Sequence, residues 1–551
     1  MFFVLFSCLN YTAPLRFNSP DETANFFFIT KFADEWRLWA YEPANYYLEN
    51  RVHPRSIQIV DDFLVPGGFI GLPLLYGLIA KVITPGLTIY LTPLFAVLGG
   101  LAWFSIVRKY FNKWIGFAST YLAWSLPAWW YYSARGFLPN VLFVSLAIIS
   151  AYFVLVRPMA NYRKKKDMAK SFVFDNVDWF VGGLVLGACL MVRPAEVLWM
   201  IGAGILLLLF NIKKVNWVGL IIFLVVTVLA LSPMLVFNNS LYGSPFSTGY
   251  QSINNQIIVE DDIGDESLER PVTTSEVVTE PQTNRFFEIT KTILLPFGFV
   301  PGNIWHNFIN YHIKFQWWFT VAWAIGLIFI LVQLIRKKLT WPMVQFAILF
   351  GFVSAWLIMV YGSWQFFDNI NISKITIGNS YLRYWIPSFV LATPVIGYAV
   401  YNLGKIIRLR VLQIILAIIF MAGFGLMGLY ATVFGEDEGL MYVRQHLWRY
   451  EWIAHRVFEI TEDNAIIITD RSDKIFFPYR RIVYPLQSQA TYDILEKMYF
   501  VAPMYYYGVD LGEEAVNHLN REVFNLRKLE MQRLESFDNE TLYIFYYLRD
   551  D

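Results

Sequence analysis

Residues 66–84 read PGGFIGLPLLYGLIAKVIT, and whether this run crosses a bilayer decides the topology of the whole chain. It is apolar enough to be weighed as a span, yet it carries Pro66-Gly67-Gly68, Gly71, Pro73 and Lys81. Clearer apolar runs lie near 87–107, 114–132, 138–157, 179–193, 195–211, 217–236, 317–335, 341–361, 384–403 and 410–432. Each approaches the roughly 20 residues that a helix needs to cross hydrocarbon. With the N-terminal run they make about eleven spans.

Charge placement settles the ambiguous segment. Basic clusters occur at Arg108-Lys109 with Lys113, at Arg163-Lys164-Lys165-Lys166, at Lys213-Lys214, at Arg336-Lys337-Lys338, and at Lys405 with Arg408 and Arg410. Lysine and arginine concentrate on the cytoplasmic side of membrane proteins. All five clusters fall there only if residues 66–84 do not cross, so this run reads as an interfacial or re-entrant helix on the outer face. The N-terminus is then inside and the C-terminus outside. The outer segments become 18–86, 133–137, the break at Arg193-Pro194, 237–316 and 362–383.

The opening run, MFFVLFSCLNYTAPLRF, lacks the basic flank of a signal peptide and is short for a span. Either the given start truncates the first helix, or that helix is short and tilted.

Composition leaves one class open. The chain is 56% hydrophobic and 16% charged, with 20 Trp, 33 Tyr and 48 Phe among 551 residues. A soluble domain of that balance would expose large apolar patches. The formal net charge of +1 gives no electrostatic case for nucleic acid. Cys8 and Cys189 lie in apolar segments far apart in sequence, and no disulfide is expected.

The outer segments hold the residues that could carry chemistry. Ser19-Pro20-Asp21-Glu22 combines a helix cap, a proline at the first helical position and a carboxylate three residues on, the pattern of a capping box. That accounts for Glu22 better than for Asp21. At a membrane edge Asp21 could instead serve as a general base, and the two roles are compatible because the cap would aim the base. His53-Pro54-Arg55 and Asp61-Asp62 share the first outer loop. An adjacent carboxylate pair can share a proton or hold a divalent ion, but no HExxH or CxxC motif accompanies it, so metal use stays open. A plain solvated loop explains the pair equally well.

Arg135 lies in YYSARGFLPN, and Arg193 in CLMVRPAEVLW, with Glu196 three residues on. A cation at that depth needs a partner or an anionic ligand. For Arg193 both an internal pair with Glu196 and a ligand remain open. Residues 238–250, NNSLYGSPFSTGY, are turn chemistry whose amides and aromatics (Asn239, Tyr242, Tyr250) would also suit a sugar. In SYLRYWIP, Arg383 enters a span beside Tyr384 and Trp385. Guanidinium grips phosphate bidentately, while snorkelling to the headgroup level is the structural alternative. An acidic, Pro- and Thr-containing stretch, about 251–284, reads as a mobile loop, either a spacer or a lid. Beyond residue 436 short apolar runs alternate with helical patterns, which argues a small α/β domain.

Taken in this order, the landmarks resemble the GT-C superfamily of glycosyltransferases, the branch with protein O-mannosyltransferases and aminoarabinose transferases. They are Pro20-Asp21-Glu22, His53-Pro54, Arg135 through Asn140, Asn239 with Tyr242-Gly243-Ser244-Pro245 to Gly249-Tyr250, and Arg383-Tyr384 before Pro387. The resemblance spans about residues 15–400. It implies an α-helical polytopic membrane protein with a GT-C-like domain over 1–435, including an outer loop with interfacial helices over 18–86. A small extracytoplasmic α/β domain over 436–551 would follow. It further implies inverting transfer of a hexosyl or pentosyl group from a polyprenyl-phosphate donor to a lipid, glycan or protein acceptor at the extracytoplasmic face. By that resemblance Asp21, with Glu22, is catalytic; Arg383, Arg135 and Tyr384 hold the donor phosphate. His53, Asp61, Asp62, Asn140, Arg193, Asn239, Tyr242 and Tyr250 would line the substrate site. One departure stands out: an acidic residue is usual in the second outer loop, where this chain has Asn140. Asp61, Asp62 or Glu22 would have to supply that role, or this chain lacks it.

Two competing classes predict different sequences. A transporter or flippase of lipid-linked saccharides would show two similar halves with matching broken helices, and no such repeat is present. A polymerase or ligase would use outer-loop arginines without needing the early acidic pair.

Overall fold

The computed structural model describes residues 1–157, 171–250, 294–365, 374–435 and 437–548. The acidic stretch about 251–284 lies outside the described residues.

Helices dominate, and seven are long and apolar enough to cross a membrane: Pro85–Tyr110, Pro194–Asn211, Trp217–Tyr242, Trp317–Ile335, Trp341–Ser363, Ile386–Ile406 and Arg410–Val433. The chain is a multi-pass membrane protein. An eighth span is added if Pro127–Ala134 and Pro139–Leu155, bent by 111° at their junction, count as one. About eleven spans is therefore not reached among the described residues, and the reasons are local. Phe2–Thr12 has 11 residues, a length of about 16 Å against about 30 Å of hydrocarbon. The expected span 114–132 is cut after Trp124, because Pro127 lacks an amide hydrogen and starts a new helix, as Pro139 does again. The Ser171–Val192 helix has 22 residues, of which Asn176–Val192 form a shorter apolar stretch.

The decisive run at 66–84 forms a helix only over Gly71–Ala80, too short to cross. It lies against the Pro20–Glu35 helix. A side chain at Gly77 would sit 2.8 Å from the Phe32 ring, and one at Gly71 would overlap the Met191 carbonyl at 2.0 Å. Glycine at these two positions permits the close approach. Lys81 closes the helix by donating from Nζ to the Ala33 carbonyl at 2.6 Å.

Three short strands precede this helix: β1 (Ala40–Tyr41), β2 (Ile57–Val60) and β3 (Phe63–Pro66), in antiparallel order β1-β3-β2. Asp61 and Asp62 form the two-residue turn between β2 and β3, with φ of 49° and 67°. Acidic or amide residues tolerate that left-handed backbone, which matches the twist of a hairpin.

The C-terminal part begins with the Leu440–Ile460 helix. Its buried residues Leu440, Val443, Leu447, Ile453, Ala454 and Val457 fall on one helical face, with a two-turn step between Leu447 and Ala454. Leu440, Val443 and Leu447 pack with the membrane helices, while Ile453, Ala454 and Val457 pack on a five-stranded sheet of β4 (Ile466–Thr469), β5 (Arg481–Val483), β6 (Met504–Val509), β7 (Leu529–Phe537) and β8 (Glu540–Tyr547), in the order β5-β4-β6-β8-β7. Strands β5, β4 and β6 are parallel, with the Gln489–Val501 helix as the crossover to β6; β8 and β7 close the sheet antiparallel. Burial of all four β4 side chains, Ile-Ile-Ile-Thr, is what a central parallel strand requires.

Candidate active site

Helix Pro20–Glu35 starts where the helical bundle meets the C-terminal sheet layer, and its first turn splits two adjacent carboxylates. Ser19 caps it, accepting from the Asp21 amide at 3.3 Å, and Pro20 occupies the first helical position. Successive helical residues diverge by about 100°, so Asp21 and Glu22 face different neighbours. Asp21 accepts a hydrogen bond from Ser56 Oγ at 2.6 Å and lies 3.9 Å from Arg383 Nη1. Glu22 turns the other way into a buried pair with Arg135. Arg135 Nη2 and Nε both donate to Glu22 Oε2, the latter at 3.2 Å, and Nη1 donates to the Tyr131 hydroxyl at 3.1 Å. The glutamate half of the capping box is thus not made, because its carboxylate is engaged by a guanidinium. Arg135 is closed in on this pair, not turned toward Arg383.

Both members of the pair are almost fully buried, at 4% and 7% exposure. Removing one partner would strand the other charge, at a cost of about 3–5 kcal/mol. Glu22→Ala should accordingly lower the unfolding temperature steeply in detergent, and adding Arg135→Met should recover much of the loss. No recovery in the double variant would show that the pair is not what the site depends on.

Arg383 lies on a short helix, Ser380–Tyr384, just before the Ile386–Ile406 span. Its Nη2 donates to Ser380 Oγ at 2.8 Å and to the Tyr384 hydroxyl at 3.4 Å. Asn140 is buried beneath it and donates from Nδ2 to the Arg383 carbonyl at 3.5 Å. The Tyr384 ring has two cations near it, Arg383 at 5.2 Å and Arg193 at 5.0 Å from its centroid, and it stacks on Tyr361 at 4.6 Å.

Arg193 takes the internal pairing that its sequence left open. Its Nη2 and Nε donate to Glu196 Oε1 at 2.7 and 3.1 Å, the Tyr361 hydroxyl donates to the same oxygen at 2.6 Å, and Trp199 donates to Oε2 at 2.6 Å. Both oxygens of that buried carboxylate accept, three donors on Oε1 and Trp199 on Oε2, so the network holds Arg193 beside Tyr384. Tyr250 completes the surroundings: it interacts electrostatically with Asp21, Arg383, Arg193 and Tyr384, and its ring meets Phe69 at 4.9 Å. Tyr242 secures the same loop, donating to the Pro66 carbonyl at 2.6 Å.

The remaining expected residues lie elsewhere. His53 packs its ring 5.2 Å from Tyr484 of the C-terminal layer, and burial holds its pKa below the ordinary imidazole value, so it is neutral. Asp61 and Asp62 occupy the hairpin turn, and no side-chain hydrogen bond or ion pair links them to Asp21 among the described residues. Asn239 is exposed, its carbonyl accepting from the Gly243 amide at 3.1 Å. No group of three or more His, Cys, Asp or Glu side chains gathers at metal-binding spacing among the described residues. Asp21 and Glu22, adjacent in sequence, point to different partners.

Sequence reading did not single out Ser56, Tyr361 or the segment Asp473–Phe477, although all touch this cluster. Ser56 follows directly on the His-Pro-Arg motif, but its contact with Asp21 depends on a backbone turn with no composition signal. Lys474 donates to the Asn18 carbonyl at 2.8 Å and lies over the Tyr450 ring at 5.1 Å. Burial first, and Arg55 next, hold its pKa down at about 8, against the opposing pull of Asp473. An unfolded lysine titrates near 10.4, so between about pH 8 and that value the unfolded chain holds the extra proton. Stability should rise with pH through this window. Thermal unfolding of the wild type and of Lys474→Met from pH 7.5 to 10 checks this: the rise should be smaller in the variant, and equal slopes would contradict it.

The sequence matches no family model and no curated protein. Solved structures do match over nearly the whole chain. ArnT from Cupriavidus metallidurans bound to undecaprenyl phosphate aligns with a TM-score of 0.52 at 10% identity, over 98% of this chain and 96% of that one. The Archaeoglobus fulgidus oligosaccharyltransferase, tethered with an acceptor peptide containing the NVT sequon, aligns with a TM-score of 0.50 at 12% identity, over 92% and 68%. At such identities the likeness concerns the fold alone, and it extends over the membrane helices and the C-terminal part of this chain.

Proposed function

We propose that the chain is a membrane glycosyltransferase that moves a sugar from a polyprenyl-phosphate donor to a lipid, glycan or protein acceptor. One observation carries the reading. A carboxylate and a guanidinium from distant parts of the chain, Asp21 and Arg383, lie 3.9 Å apart with side chains 38% and 16% exposed. Two tyrosines flank them, and the end of the helical bundle they occupy is next to the start of two spans.

In this reading Asp21 accepts the proton of the acceptor hydroxyl or amine as its oxygen or nitrogen attacks the anomeric carbon. The bond from that carbon to the phosphate oxygen breaks, the anomeric configuration inverts, and the carrier leaves as polyprenyl phosphate. Arg383 takes the growing charge on the phosphate through its paired N–H groups.

The extracytoplasmic side is supported by helix direction. Asn25 donates to the Phe137 carbonyl at 2.9 Å, and Gly136 abuts Ile89, so the Pro85–Tyr110 span starts beside the site and ends at Arg108-Lys109. The Ile386–Ile406 span likewise starts beside Arg383 and ends at Lys405. Basic ends are cytoplasmic by the positive-inside bias, which leaves the Asp21 end outside. The resemblance to the two solved enzymes, one with undecaprenyl phosphate and one with an acceptor peptide, supports the substrate classes. Purified protein in detergent or nanodiscs, incubated with a panel of polyprenyl-phosphate sugars, should release free polyprenyl phosphate from one of them in an acceptor-dependent way. No release from any donor in the panel would count against transfer.

A further inference from the structure

The C-terminal layer reaches the first turn of the Pro20–Glu35 helix through one short segment. Asp473 is 1% exposed and accepts from the Arg55 backbone amide at 2.9 Å and from Arg55 Nε at 2.9 Å. Arg55 Nη2 also donates to the Arg471 carbonyl. Alongside, Arg16 Nη1 donates to the Ile475 carbonyl at 3.1 Å, and Phe477 meets Phe27 edge-on at 4.9 Å. One carboxylate therefore holds both the backbone and the side chain of Arg55.

The next residue is Ser56, whose hydroxyl donates to Asp21. Its φ is 62°, the left-handed region that side-chain-bearing residues rarely adopt. Such a conformation persists only where the surroundings impose it. Here they do so from both sides. Ahead of Ser56, Arg55 is fastened to Asp473. Behind it, the Ser56 carbonyl accepts from the Gly67 amide at 3.0 Å, and a side chain at Gly67 would meet that carbonyl carbon at 2.8 Å. The hydroxyl is thereby aimed at Asp21 Oδ1.

We infer that Asp473 and Ser56 are positioning residues for Asp21: the C-terminal layer, through the Asp473–Arg55 contact, sets the Ser56 backbone so that its hydroxyl orients the carboxylate. This rests on the base assignment above. The layer is then part of the catalytic apparatus, not a separate appendage. A serine O–H bond to one carboxylate oxygen leaves the other oxygen, 3.9 Å from Arg383 Nη1, as the one free to take a proton. Loss of the bond lets the carboxylate rotate, which reduces the fraction of molecules with the base in line.

Two measurements test this. Kinetics of carrier release are compared for wild type, Ser56→Ala, Asp473→Asn and the double variant. Each single change should lower kcat about tenfold with donor KM nearly unchanged, the size expected for one hydrogen bond to a charged group. The double variant should be no worse than the singles, because both act through one contact. Multiplicative losses, or normal kcat per folded molecule with only a lower unfolding temperature, would overturn the inference and leave Asp473 a docking residue. The second measurement is a cryo-EM structure of Asp473→Asn, which reads the linkage without turnover. Ser56 should leave the left-handed region and lose Asp21; an unchanged Ser56–Asp21 bond overturns the inference while the transferase reading stands. Full activity of Asp21→Asn removes the base assignment instead, a failure separable from that of the linkage.

Discussion

Asp21→Asn is expected to reduce sugar transfer below detection, with folding and membrane insertion retained. A positioned general base contributes about 10²–10⁴-fold, and an amide oxygen cannot take the acceptor proton at neutral pH. The substitution is nearly isosteric, and the new carbonyl still accepts from Ser56 Oγ. What it gives up on the stability side is the contact with Arg383, at 3.9 Å and with the carboxylate 38% exposed. Partly exposed ion pairs of that length are worth about 0–1 kcal/mol. Activity and stability should therefore separate: carrier release lost, unfolding temperature within a few degrees of wild type. Glu22→Gln offers the contrast, since that carboxylate is engaged with Arg135 and its change should act first on stability. Wild-type turnover in Asp21→Asn would remove the base from the mechanism.

Arg383→Ala should weaken binding of the phosphate-bearing carrier by about 10²-fold, the worth of two charge-assisted hydrogen bonds in part offset by water. Calorimetric titration of undecaprenyl phosphate into protein in nanodiscs would measure it, free of turnover. The local fold should survive, because Tyr384 remains stacked on Tyr361 and faced by Arg193. Arg383→Lys keeps the charge but not the planar fork and should fall between the two. Carrier affinity unaltered in Arg383→Ala would show that this guanidinium only reaches for the membrane surface.

How much of this was readable beforehand differs residue by residue. The Arg193–Glu196 pair was half readable: partners three positions apart around a proline turn are neighbours by local geometry, but a ligand for Arg193 stayed as open as the pair. The Asp61-Asp62 turn was half readable: two acidic residues between β-prone runs suit a hairpin, but a metal or proton-sharing role looked equally open on paper. Asp21 and Glu22 show the opposite case. They are adjacent, of one chemistry and in one first turn, yet a rotation of about 100° sends one to Ser56 and Arg383 and the other to Arg135. The expected count of about eleven spans is not reached among the described residues, in part because the helix breaks before Pro127 and Pro139 although apolar content continues. Ser56 was invisible because its φ comes from contacts with Gly67 and with Asp473, 418 positions beyond Arg55.

Membrane residence and the main helices follow from hydropathy, proline and spacing along the chain, and the non-crossing run at 66–84 from the placement of the basic clusters. Burial is dictated by patterns a few residues wide, so a linear reading captures it. Which carboxylate meets which guanidinium is another matter, since several pairings satisfy the same charges. Only the packing of helix Pro20–Glu35 against Gly71–Ala80, the Ser380–Tyr384 turn and the C-terminal sheet layer selects one, because an ion pair requires contact within a few ångströms between groups hundreds of residues apart.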